Sequence, residues 1–106
     1  MIKNVLIPNT ETIVYESALR NAVTRISLHN IHPTEDESVE VWILEDGVTP
    51  STDNRSYKIR LAPEETIDLE INGKEILQNE DKVFAKGENG NRVNVRLSYL
   101  ALKGGV

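Results

Sequence analysis

The sequence predicts an all-β chain, an antiparallel β-sandwich of jelly-roll or immunoglobulin-like connectivity with about seven or eight strands. Three observations predict it. Apolar and polar side chains alternate with a period of two in one segment after another. Turn signals recur about every 8–12 residues, a spacing that favours sandwiches over alternating strand–helix units. The single stretch with helical leaning, Glu16–Arg20, is too short to stand as a helix.

Val5–Ile7 and Thr12–Tyr15 are short strand candidates. Ala22–His29 is the first long one, with Ala22, Thr24, Ile26 and Leu28 on one side and Val23, Arg25, Ser27 and His29 on the other. In Val39–Leu44 the valines and Ile43 oppose Glu40, Trp42 and Leu44. Asp46-Gly47 ends that strand, and the polar stretch Val48–Asn54 reads as a protruding loop or a crossover between sheets. Tyr57, Ile59 and Leu61 then oppose Lys58 and Arg60, and Ala62-Pro63-Glu64 turns the chain. Ile67, Leu69 and Ile71 oppose Thr66, Asp68 and Glu70 up to an Asn72-Gly73 turn. Lys82–Ala85 is a weaker candidate, and Gly87–Asn91 joins it as a hairpin to the longest clean strand. There Val93, Val95, Leu97 and Tyr99 alternate with Arg92, Asn94, Arg96 and Ser98.

The 106 residues suffice for one core. Residues 1–10 read as an N-terminal arm, 11–100 as the sandwich domain and 101–106 as a C-terminal tail. Aromatic residues make up 5% and Cys is absent, so neither disulfides nor thiolate-bound zinc adds rigidity to a core with little surplus. Contact with a partner would add it.

With 12 Lys and Arg against 17 Asp and Glu, the formal net charge is −5. Phosphate backbones are repelled on average, so nucleic acid is not an expected partner. No apolar run approaches the ~18 residues of a membrane span, and Met1–Pro8 is too short in apolar residues for a signal peptide. The expectation is a soluble chain made in the cytoplasm.

Residues that carry chemistry are few. His29 and His32 stand three apart before the acidic run Glu35-Asp36-Glu37, and three-residue spacing on a strand sends side chains to opposite faces. Exposed histidines beside a turn are the favoured reading over a metal site. Gly87-x-x-Gly90 and Gly104-Gly105 open no helix, so no phosphate cradle is expected. Asn54-Arg55-Ser56 matches a glycosylation sequon of the kind that arises by chance. The reading assigns no catalytic residue, no cofactor and no metal.

Trp42 has two readings. On an outer face it would join Leu44 in an exposed apolar spot of the kind that anchors interfaces; with the strand phase reversed through a bulge it would pack between the sheets. Leu100, Leu102 and Val106 extend an apolar tail. Val5, Leu6, Ile7, Trp42, Leu44, Leu100 and Leu102 are the candidate partner-binding residues.

The order T-x-V-Y and N-A-V-T-R-I-S-L-H-N (within Thr12 to Asn30), V-E-V-W-I-L (Val39 to Leu44), Y-K-I-R-L-A-P-E-E-T-I-D-L (Tyr57 to Leu69), I-L-Q-N-E-D-K-V-F-A (Ile76 to Ala85) and V-N-V-R-L-S-Y (Val93 to Tyr99) resembles small β-sandwich virion proteins of tailed bacteriophages. That family shows an L-x-P-x-x-T-x-x-L strand pair and an L-x-x-G-D-x-I-x-A step; here Asn79-Glu80-Asp81 stands where Gly-Asp is usual. The resemblance implies a non-enzymatic virion component, a capsid decoration or tail-associated protein. Its partners would be major capsid or tail proteins, met in many copies on a symmetric particle. The alternative is a carbohydrate-binding or adhesion module using Trp42 and the 48–55 loop.

Overall fold

Segments that alternate every second residue can bury one side and wet the other, and most of the nine strands among the described residues are of this kind. The computed structural model describes residues 1–69 and 75–102. Its strands are β1 (Ile2–Ile7), β2 (Thr12–Glu16), β3 (Asn21–Asn30), β4 (Glu37–Leu44), β5 (Tyr57–Leu61), β6 (Thr66–Leu69), β7 (Glu75–Leu77), β8 (Lys82–Gly87) and β9 (Val93–Ala101). The Glu70–Ile71 end of the sixth expected strand, the Asn72-Gly73 turn and Gly104, Gly105 and Val106 lie outside the described residues.

The strands form two antiparallel sheets. One runs β1-β9-β3-β6, with β7 also on β3; the other runs β2-β8-β4-β5. β6 pairs with Ile26–His29 and β7 with Asn21–Val23, so the two share one edge of β3. Counted together they leave eight strand places whose pairing is nested: β1 with β9, β2 with β8, β3 with β6/β7, and β4 with β5. Nested antiparallel pairing, split between two facing sheets, is jelly-roll connectivity, which decides between the two forms of sandwich expected.

Ile26 and Leu28 of β3, Val39 and Val41 of β4, Val83 and Ala85 of β8, and Val93, Val95 and Leu97 of β9 are fully buried between the sheets. Burial of each such aliphatic side chain favours the fold by about 1.5–3 kcal/mol. At one end of the core the carboxylate of Glu37 is also fully buried. It accepts hydrogen bonds from Arg92 Nη1 at 2.9 Å and from Asn89 Nδ2 at 3.1 Å, so the charge is compensated where it is desolvated. The same partnership, Glu37 first and then Glu35, raises the Arg92 pKa above its ordinary value.

Four local expectations change. Residues 2–7, expected within an arm, are an edge strand paired with β9 along its full length. Thr24 interrupts the β3–β9 register between Val23 and Arg25, so Val23 joins the core with Ile26 and Leu28 while Thr24 is exposed. A second irregularity, between Ile13 and Tyr15, lets both Val14 and Tyr15 be buried. The tyrosine ring then packs on Tyr99 with centroids 4.4 Å apart. Finally, the segment with helical leaning contains Leu19 at φ 62°, which a right-handed helix does not admit.

Candidate functional site

The outer face of the β1-β9-β3-β6 sheet carries a depression, a polar shelf of about 410 Å³. Its lining follows from register. Side chains of β9 that alternate with buried Val93, Val95 and Leu97 must point outward, and so must those of β3 that alternate with Ile26 and Leu28. Pairing sets these wet positions in three rows. Leu6, Asn94, His29 and Thr66 form the first; Asn4, Arg96, Ser27 and Asp68 the second; Ile2, Ser98 and Arg25 the third.

Internal bonds settle one side of the shelf. Asp68 is held through one oxygen by the Ser27 hydroxyl and through the other by Arg25. These contacts, Ser27 foremost, keep its carboxyl below the usual carboxylate range. A depressed carboxyl pKa contributes stability that is present above the unfolded value and lost as pH falls through the folded one, so this pairing fails only in acid. Thr66 Oγ1 lies 2.7 Å from Nδ1 of His29. Arg96, on β9 in the middle row, is like Arg20 in no ion pair among the described residues, whereas Arg25, Arg55, Arg60 and Arg92 each hold a carboxylate.

The residues singled out from sequence fall elsewhere. On β1, Val5 is half-buried against the core, Ile7 is buried and Leu6 is exposed on the outer face. Leu100 is 51% exposed; Leu102 is half-buried and its N–H donates to the Arg20 carbonyl at 3.0 Å. Register sets Ile2 diagonal to Leu100, since Ile2 opposes Ser98 on the same face, and Met1 bonds both ways with the Tyr99 backbone. Met1, Ile2, Leu6 and Leu100 are thus exposed apolar residues on the β1–β9 side of the sheet.

Trp42 meets neither of its two expectations. Val39 and Val41 face the core, so Trp42 and Leu44 do lie on the outer face, yet they are 2% and 7% exposed. The loop after β4 supplies an acceptor over the ring: Nε1 of Trp42 donates to the Ser51 carbonyl at 2.7 Å. That loop is pinned by Asn54, whose Oδ1 accepts from Ser51 N and whose Nδ2 donates to the Thr49 carbonyl. A single 3₁₀ turn, Thr52–Asn54, follows Ser51. Trp42 therefore anchors its own loop and offers no stacking platform.

The histidines do not converge. His29 faces Thr66, while Nδ1 of His32 accepts from the N–H groups of Thr34 and Glu35. No group of three or more potential metal ligands is present among the described residues. The shelf was missed from sequence although its alternation was visible, because nothing local tells that the wet sides of β3 and β9 are neighbours. No protein-family model matches the chain, and no curated protein matches it.

Proposed function

We propose that this protein is a non-enzymatic structural module of a tailed-phage virion that works by contact with neighbouring protein subunits, through the β1–β9 side of its jelly roll. One observation carries the reading: β1 is a regular six-residue edge strand, paired on one side only among the described residues, with exposed Ile2 and Leu6 on its outer face and Met1 and Leu100 beside it. An unbulged edge with exposed apolar side chains is the kind of surface that folded chains usually blunt unless something covers it. Resemblance of the strand and turn pattern to phage virion proteins supplies the setting, and many copies on a symmetric particle would offset weak single contacts. Lys3, on the inward side of the same strand, tempers indiscriminate strand addition and leaves specificity to the matching surface.

Removing residues 1–8 would strip β9 of its partner strand and so confound folding with contact. The sharper test is the double substitution Ile2→Lys and Leu6→Lys, which keeps the strand. Purified particles carrying this variant should lose most of their copies of the chain, measured by quantitative mass spectrometry, while circular dichroism of the isolated variant stays that of the unaltered protein. Wild-type occupancy of the particle by a folded variant would refute the assignment of this edge.

A further inference from the structure

We propose that the polar shelf on the outer face of the β1-β9-β3-β6 sheet is a binding site for an acidic saccharide, with Arg96 as the residue that holds its carboxylate. This site adjoins the β1 edge on the same face, Ile2 and Leu6 lying opposite Ser98 and Asn94, but the proposal does not depend on the subunit contact proposed there.

Charge comes first. In a chain of net charge −5 the shelf carries Arg25, Arg96 and Asp68, a local excess of one positive charge. Both oxygens of Asp68 are already engaged, by Ser27 and Arg25, so that pair is internally satisfied. Arg96 is left with its guanidinium donors free of any carboxylate among the described residues, in the middle row of the β9 side of the depression. A planar, permanently charged fork in that setting is suited to a carboxylate, which it can grip through two parallel hydrogen bonds.

The chemistry of the remaining wall selects the rest of the ligand. Around Arg96 stand Asn94 and Ser98, neutral groups that both donate and accept, then Ser27, whose proton is committed to Asp68, with His29 and Thr66 beyond them. A peptide side chain would need apolar wall for its stem, and the lining supplies mostly hydroxyls, amide and charge. A ring bearing several hydroxyls and one carboxylate matches the groups left uncommitted, Arg96, Asn94 and Ser98. The volume of about 410 Å³ lies within the ~300–1,000 Å³ of small-ligand sites. No Phe, Tyr or Trp ring lines the shelf, so recognition here would come from hydrogen bonds and charge rather than from stacking on a large aromatic face.

The test uses the full chain, isotopically labelled, titrated with sodium glucuronate, with glucose as the neutral counterpart and with a glutamate-rich peptide as the competing source of carboxylate. Glucuronate should shift the amide resonances of Asn94, Arg96, Ser98 and Ser27, and should bind at least about tenfold more tightly than glucose, the weight of one charge-assisted contact. Arg96→Gln should remove that preference and leave the circular dichroism spectrum unchanged. An Ile2→Asn, Leu6→Asn variant, which removes the apolar edge without adding charge beside Asn94 and Ser98, should keep the preference for glucuronate over glucose, which separates this site from the β1 edge. Equal affinity for glucose, stronger binding of the peptide, shifts elsewhere on the surface, or an Arg96→Gln variant that still prefers glucuronate would each overturn the proposal.

Discussion

Glu80 stands in left-handed backbone at φ 68°, a conformation in which the approach of Cβ to the following carbonyl oxygen costs about 1–2 kcal/mol. The position is the one at which the sequence departs from the phage pattern by lacking glycine. The turn is nonetheless well made. Asp81 N–H donates to the Gln78 carbonyl at 3.2 Å, Gln78 N–H donates to Asp81 Oδ2 at 2.8 Å, and Glu80 N–H reaches the Ser17 carbonyl at 2.8 Å. Side-chain and backbone bonds of this kind hold a residue in a region that it would otherwise leave. Glu80→Gly should therefore stabilise the protein, by about 1 kcal/mol in urea unfolding, without a change in structure. Loss of stability in that variant would mean that the Glu80 side chain contributes something its exposed position does not reveal.

At the scale of elements, periodicity located the long strands because the side chains of β3, β4, β5, β6 and β9 need one dry face each. It failed where tertiary contacts override alternation. Thr24 is an extra residue in β3, and such an insertion leaves no local trace in a run that already alternates. β7 is only three residues long and takes its place from pairing with Asn21–Val23 rather than from its own pattern. Trp42 shows the same limit: its outward direction followed from alternation, but the Ser51 carbonyl that closes over it lies nine residues along the chain. If the indole holds the loop, Trp42→Ala should cost about 3 kcal/mol, near the lower end for a buried aromatic ring. Hydrogen exchange should then speed up across residues 45–56 while the amides of Ile26 and Leu28 in β3 keep their protection once the loss of global stability is allowed for. An unchanged loop would place the anchor elsewhere.

Across the whole molecule, the jelly roll explains why the sheet class was legible and the functional surface was not. Both layers follow from summed alternation, whereas nested pairing joins residues as far apart as Ile2 and Ser98, and no local pattern encodes that choice. The polar shelf is a product of such pairing: Arg25, Ser27 and His29 were recognisably wet, as were Asn94, Arg96 and Ser98, and the fold makes them one surface. The same topology leaves β1 at an edge with its apolar outer side chains uncovered. Contact through that edge is the claim on which the functional reading depends. Cryo-electron microscopy of the intact particle tests it most directly: density for this jelly roll should recur in symmetric copies with Ile2, Leu6 and Leu100 against a neighbouring subunit. A particle without the chain, or one in which β1 faces open solvent in every copy, would contradict it.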